Sequence, residues 1–358
     1  MKGDKIAIHE KILPDELLTS WLLRFSQKMR VKYHTLCDAL FNKADLDLRD
    51  ADLTIKKELI EKLADITFHS KENLNQTTLR SYEPNLALGN NLNYWILSRG
   101  NYHRIPKNNY LVYCPSCLDK DSIPYYRRGW RLITTLICVK CQTELLDCCP
   151  SCYQPISFLR LDFNNKEKIV DGPISTCSCC DFDLRKAHKE KAAKNSLEYQ
   201  KKVDKYLLSG CTETLNYSHQ YFIVLRLILG LINSKRKRYV EFNRFLSRTT
   251  EIPQQEYQTG TLLLKNSNIV YRKNAILKAH WLISRSREEL VDIFKRHGLW
   301  SCFIKNDLDS DDIPYWFYKI LSNELSIKYS EWKKFYPDSS SLSSYICLGA
   351  KLKNRFTN

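Results

Sequence analysis

Cys114-Pro115-Ser116-Cys117, Cys138-Val139-Lys140-Cys141, Cys149-Pro150-Ser151-Cys152 and Cys177-Ser178-Cys179-Cys180 are the residues on which a reading of this chain turns. A two-residue gap lets both sulfurs of a pair face one point, with backbone amides turned towards the thiolates. The first two pairs are separated by 20 residues and the last two by 24, enough for a hairpin to fold each couple together. Each couple then completes a sulfur tetrahedron, a donor set that selects zinc or an iron–sulfur cluster. The expectation is two structural Zn2+ ions, one held by Cys114, Cys117, Cys138 and Cys141, the other by Cys149, Cys152, Cys177 and Cys180. Sequential pairing is adopted, although an interleaved cross-brace would use the same eight residues. Cys148 and Cys179 are spare thiols beside the second set, so its register is less firmly fixed. A thioredoxin-like redox motif would need a βαβ pattern that these pairs lack. With four thiolates around each metal, no position is open to water or substrate, so the sites hold structure and do no metal catalysis.

The remaining composition agrees. Fourteen cysteines in a short secreted chain would suggest disulfides, but here they are clustered in 358 residues with no apolar signal segment after Met1-Lys2-Gly3-Asp4-Lys5. A length of this order accommodates two or three domains. The longest apolar stretch, Tyr221 to Ile232, is too short to span a bilayer and carries Arg226, so a buried helix is expected and no membrane partner. Lys plus Arg outnumber Asp plus Glu by 56 to 40, a net charge of +16, which favours encounters with polyanions.

Three regions separate by pattern, giving a mainly α chain with small β zinc-ribbon modules at its centre. Residues 1–100 read as short helices. Pro14 is expected at a first helical position, with Asp15 and Glu16 suiting a helix N-terminus, and Leu17, Leu18, Trp21, Leu22 and Phe25 form one apolar face. Leu59, Ile60, Leu63, Ala64 and Ile66 form another; after Ser70-Lys71-Glu72-Asn73 a further segment carries Leu74 and Leu79, and the two would fit a helix-turn-helix. Residues 101–184 lose the helical period. Runs such as Tyr110-Leu111-Val112-Tyr113 and Leu132 to Ile137 look like β-hairpins whose core is replaced by metal. Residues 185–358 return to helices: a charged, solvated one from Arg185 to Lys205, the buried one at Tyr221 to Ile232, and one opened by the capping box Ser286-Arg287-Glu288-Glu289 and ended at Gly298. Ser339-Ser340-Ser341 and Lys351 to Arg355 read as a frayed tail. Cys37, Cys211, Cys302 and Cys347 are expected to be buried small hydrophobes in helices.

Two basic groups are candidates for nucleic-acid contact. Arg226, Lys235, Arg236, Lys237, Arg238, Arg244 and Arg248 face the single acid Glu241, and Lys235 to Arg238 are the candidate contacts there. Arg104, Lys107, Arg127, Arg128 and Arg131 flank the first cysteine module with Tyr125, Tyr126 and Trp130 interleaved; Arg127, Arg128 and Arg131 are the candidates. Trp130 is expected to pack. No catalytic residues are assigned: there is no GxxxxGK[ST], GxSxG or HExxH, and the acid-rich Asp307 to Asp312 lacks the Gly and final Glu of an EF-hand loop. The alternatives are a zinc-containing, sequence-specific DNA-binding regulator acting alone, or a nuclease built on the Asp307–Asp312 loop.

Taken in order, these residues resemble a family. Leu13-Pro14-Asp15-Glu16-Leu17-Leu18-Thr19-Ser20-Trp21-Leu22-Leu23-Arg24 is similar to the opening P-x-E-S-x-x-S-W-x-x-R of TniQ/TnsD proteins. Tyr113-Cys114-Pro115-Ser116-Cys117-Leu118 is similar to that family's first zinc knuckle. Tyr125, Tyr126, Trp130-Arg131-Leu132, Cys138, Leu145, Cys149 to Cys152, Cys177 to Cys180 and Leu184 follow in its order. Cys141 stands where the family commonly has His, and sulfur there still completes a zinc site. The resemblance implies a non-catalytic target-selection subunit of Tn-seven-like transposons, bacterial, cytoplasmic and nucleoid-associated. Such a subunit recruits the AAA+ regulator TnsC to DNA directly or through a CRISPR Cascade complex. Members of this shorter size resemble the Cascade-associated, homodimeric type. No small-molecule substrate is implied.

Overall fold

A computed structural model describes residues 6, 8–41, 50–100, 107–161, 174–254, 264–304 and 313–326. Its helices are α1 (Leu18–Lys28), α2 (Tyr33–Leu40), α3 (Ala51–Thr54), α4 (Lys57–Ile66), α5 (Lys71–Asn75), α6 (Glu83–Leu86), α7 (Leu92–Trp95), α8 (Pro115–Lys120), α9 (Lys194–Ser209), α10 (Ser218–Ile232), α11 (Lys237–Thr250), α12 (Ile269–Ile283), α13 (Arg287–Arg296), α14 (Ser301–Ile304) and α15 (Tyr315–Lys319). The strands β1 (Ile137–Cys138) and β2 (Thr143–Glu144) pair antiparallel, Ile137 with Glu144 and Cys138 with Thr143. Among the described residues the chain is mainly helical, and the β1–β2 pair lies in the cysteine region. Among the described residues, no helix is long and apolar enough to cross a membrane.

Two units emerge from the packing: residues 1–219 with 258–273, and residues 220–257 with 274–358. In the first, the segments delimited at 100 and 184 share one core. Helices as short as α3, α5, α6 and α7 cannot bury enough surface to stand alone. The core begins at α1, where Leu17, Leu18, Trp21, Leu22 and Phe25 are all at most 1% exposed. Each such side chain contributes roughly 1.5–3 kcal/mol by leaving water. Pro14 and Asp15 are not helical, contrary to expectation. They form a turn with Asp15 at φ +56°, and α1 opens at Leu18. α4 and α5 do lie in sequence as a helix pair, with Ser70 capping α5 through Asn73 N–H, but α5 is five residues long, little more than one turn.

The expected hairpins at Tyr110–Tyr113 and Leu132–Ile137 reduce to β1–β2 and isolated bridges such as Tyr113 with Leu146 and Ile96 with Leu132. The helix expected from Arg185 starts instead at Lys194, because Arg185 to Glu190 are spent elsewhere. Arg185 chelates Asp183, and the Glu190 carbonyl pairs with Glu144 N–H beside β2. Nor is α9 wholly solvated: Tyr199, Gln200, Val203 and Tyr206 are buried, and the Gln200 amide oxygen accepts the Leu136 N–H at 2.7 Å. Gly210 ends α9 at φ +71°, where a Cβ would meet Asn85 Oδ1 at 2.8 Å.

In the second unit α10 is buried as expected, Phe222, Val224, Leu225, Ile228 and Leu229 being inaccessible. Phe242 of α11 meets Phe294 of α13 edge-on at 6.2 Å. The capping box of α13 is present in both directions, Ser286 Oγ accepting Glu289 N–H and Glu289 accepting Ser286 N–H, and Gly298 follows at φ +61°. Cys37 is buried, and burial pushes its thiol up to about 12, an inert group. Cys211 is half-buried in the loop after α9 and is not helical, which corrects the expectation for it. Arg104, Asp307 to Asp312, Cys347, Ser339 to Ser341, the closing basic stretch and the Cys302 side chain lie outside the described residues.

Candidate metal centres

The first cysteine pair is built on a helix start. Cys114 occupies the N-cap of α8, its Sγ accepting Cys117 N–H at 3.4 Å, and Pro115 follows at the first helical position with its φ already suited. The positive end of the helix faces the sulfurs, a favourable place for thiolate. The other three pairs are hairpins of one design. In each, the residue before the first cysteine pairs with the residue six after it: Ile137 with Glu144, Cys148 with Pro155, Thr176 with Asp183. The residue after the second cysteine is left-handed in all three, Gln142 at φ +55°, Tyr153 and Asp181 at +58°. Tyr153 and Asp181 use that bend to return an N–H to the Cys149 and Cys177 carbonyls at 2.8 and 3.0 Å. Glycine would adopt that conformation at lower cost.

The structure unites the first pair with the second and the third with the fourth. Within each set of four the sulfurs lie within 4.8 Å of one another. Cys117 Sγ is 3.5 Å from the sulfurs of Cys138 and Cys141, Cys149 is 3.6 Å from Cys180, and Cys152 is 3.8 Å from Cys177. A disulfide would bring sulfurs to about 2.05 Å. Four thiolates about 2.3 Å from a central ion stand about 3.8 Å apart along a tetrahedron's edges. The donor sets therefore fit a tetrahedral thiophilic ion such as zinc at both places. When bound, the ion would supply cross-linking and charge balance to Cys114, Cys117, Cys138 and Cys141 and to Cys149, Cys152, Cys177 and Cys180. Cys180, exposed like its neighbour Cys179, completes the second set. The Cys114 thiol is held well below its ordinary value by hydrogen bonds from Cys117 and Cys138, while the same contact with Cys114 pushes Cys117 up.

Between Cys117 and Cys138 runs the segment that grips α1. Leu17 N–H donates to the Tyr126 carbonyl at 2.9 Å, Tyr126 N–H to Ser20 Oγ at 3.0 Å, and the Tyr125 hydroxyl to the Pro14 carbonyl at 3.0 Å. Arg24 pairs with Glu16 at 2.8 Å and with Glu10, all three nearly or fully buried. Burial pushes the Glu16 carboxyl up, and the Arg24 guanidinium pulls against it. The sequence-level reading missed this internal frame. Its signal was present in Arg24, seven residues after Leu17 and hence on the apolar stripe of α1.

The same frame corrects the expectation for Arg127, Arg128 and Arg131 as nucleic-acid contacts. Arg131 is 0% exposed and bonds Asp50 at 2.6 Å, Asp52 at 3.2 Å and the Leu97 carbonyl. Arg127 bonds Asp121 at 2.5 Å and lies over the rings of Tyr125 and Trp130. Arg128 holds Asp15 at 3.0 Å, reaches Ser81 and covers Tyr82. Each guanidinium is thus turned to an internal carboxylate, with Arg127 Nη1 and Arg131 Nε buried without a partner. Lys235, Arg236 and Lys237 are exposed at the start of α11, and Arg238 is half-buried.

These features define a class: a helical frame clamped to two closed four-thiolate modules, with no open coordination position at either. The family model TniQ matches residues 7–145, which take in the Glu16–Arg24 frame, the Tyr125–Arg131 segment and the whole first thiolate set. The likeness to the TniQ family therefore covers the N-terminal part of the chain, less than half of its length. The second thiolate set and both later helical stretches lie beyond the matched residues. No curated protein matches the chain.

Proposed function

We propose that this protein is a non-catalytic target-selection adaptor of DNA transposition, which joins a DNA target or a CRISPR Cascade ribonucleoprotein to the AAA+ ATPase TnsC. The observation that carries the reading is the TniQ domain over residues 7–145. The physical arrangement supports it. Closed thiolate sets stiffen a scaffold and activate no water, and a net charge of +16 suits a protein that works beside nucleic acid. The two ions are zinc, held for shape. The exposed Lys235, Arg236 and Lys237 are the contacts to phosphate.

Reconstitution tests this. The zinc-loaded full chain, a TnsC-type ATPase and duplex DNA are sedimented with ATP and with ADP. Co-assembly on DNA that requires ATP is expected. Absence of any association, with the purified chain instead binding one DNA sequence tightly by itself, would favour a free-standing regulator and overturn the adaptor reading.

A further inference from the structure

α11 exposes Lys237, Glu241, Arg244 and Arg248 on one face, at i, i+4, i+7 and i+11. Lys235 and Arg236 precede them and are exposed too. Among the described residues none of Lys235, Arg236, Lys237, Arg244 and Arg248 is engaged in an ion pair. At the C-terminal end of the helix an open cavity of about 370 Å³ is lined by Arg244, Ser247, Arg248 and Glu251 together with Ile252 to Gln254. Behind its wall sits Lys278, 2% exposed, whose Nζ donates to Ser247 Oγ at 2.7 Å, the Pro253 carbonyl at 3.1 Å and Asn243 Oδ1 at 3.2 Å. All three acceptors are neutral, so the ammonium is buried without a counter-charge, an arrangement that costs stability unless an anion comes near.

We infer that this cavity and the α11 face leading to it form a binding site for the phosphates of a nucleic-acid strand, with Arg244 and Arg248 as the direct ligands and Lys278 as a fixed positive charge behind them. The opposing charges are Glu251 on the rim and about half a negative charge from the helix C-terminus. Against three cations they leave the cavity positive by about one and a half charges. Arg244 and Arg248 stand one turn apart, about 6 Å along the axis, and each guanidinium presents a fork that fits phosphate oxygens. An acidic protein surface is the weaker candidate. Protein hot spots are apolar and aromatic at their centre, and none of the large exposed hydrophobic residues falls within 235–254. The inference deepens the adaptor reading by naming a phosphate contact outside the TniQ domain.

The test is fluorescence anisotropy with the zinc-loaded full chain, a labelled duplex and a labelled single-stranded RNA of arbitrary sequence, each titrated between about 50 and 200 mM salt. The Arg244→Gln/Arg248→Gln variant removes two exposed, unpaired groups, so its denaturation midpoint should match the wild type. The slope of log K against log salt should fall by about 1.8 on the duplex or about 1.4 on the single strand. The loss of duplex affinity across that range should accordingly be about 12-fold smaller than for the wild type. A Lys201→Gln/Lys202→Gln variant on α9 should keep the full slope. An unchanged slope in the α11 variant, or no binding of either nucleic acid by folded wild-type chain, overturns the inference. So does an α11 variant that binds both nucleic acids normally but has lost an acidic protein ligand. No ATPase is present, so such a failure leaves the adaptor reading standing, and loss of ATPase assembly with these slopes intact would sink only the latter.

Discussion

Arg131 reaches Asp52, 79 positions away in the chain, with Nη1 3.2 Å from Oδ2 and both side chains buried. Asp52 in turn accepts the Thr19 N–H and hydroxyl at 2.9 Å. One guanidinium thus ties the segment between the first two cysteine pairs to α3 and, through Asp52, to α1.

Removing that cation leaves two carboxylates in the interior without it. Arg131→Met should cost about 3–5 kcal/mol, the range for breaking a buried pair from one side. Urea denaturation followed by tryptophan fluorescence checks this. A variant of unchanged stability whose nucleic-acid binding had weakened would return Arg131 to the surface role first expected of it.

The thiolate sets predict metal content residue by residue. Wild-type protein should hold two zinc ions per chain by elemental analysis, and Cys114→Ser or Cys152→Ser one, with local unfolding, because structural zinc contributes on the order of 10 kcal/mol. Cys148→Ser and Cys179→Ser should retain both ions. Loss of an ion from Cys179→Ser, with Cys180→Ser unaffected, would shift the register of the second set by one.

The left-handed residues give a prediction of opposite sign. An L-residue at such a φ costs roughly 1–2 kcal/mol, while glycine gives back about 0.5–1 in chain entropy. Tyr153→Gly, at a side chain 76% exposed, should therefore stabilise the loaded protein by about 0.5–1 kcal/mol. Tyr153→Val should destabilise it. The measurement is resistance of the bound zinc to a chelator in moderate urea; equal behaviour of both variants would show that the bend is not what the residue type controls.

Burial pushes the Lys278 ammonium down to about 8. Between that value and the unfolded lysine's roughly 10.4, the unfolded chain binds more protons than the native one, so stability rises with pH through this window and the cost is fully present below it. Wild-type protein should gain stability from pH 8 to pH 10 relative to Lys278→Met, measured by urea midpoints at each pH. Parallel profiles for the two proteins would mean that Lys278 is not desolvated.

The eight thiolate positions were legible because ligand spacing is a local property: two residues between sulfurs and a hairpin between pairs suffice. The stripe from Leu17 to Phe25 and the Ser286 cap were legible for the same reason. What the sequence hid is non-local. Arg131 and Arg24 look like surface charge until Asp52 and Glu16 are seen to enclose them, and nothing in the local pattern announces a partner 79 residues away. The pattern also could not show that α3 and α7 would be tied to the segment between the first two cysteine pairs, through Arg131 with Asp52 and Ile133 N–H with the Trp95 carbonyl, while α5 packs on α4 and α6 on α9. Nor could it place the start of α9, since the charged run at Arg185 to Lys191 has helical composition but is taken up by Asp183, Asp119 and β2.

The hydrogen bond from Leu17 to Tyr126 has a consequence for synthesis. As the chain leaves the ribosome, α1 emerges early, yet the backbone that secures it lies between Cys117 and Cys138, in a loop that an ion on Cys114, Cys117, Cys138 and Cys141 would close. The first long helix made therefore stays unsecured until Tyr126 and Cys141 have been synthesised. A cell starved of zinc would accumulate nascent chains with the apolar side of α1 open to chaperones and proteases.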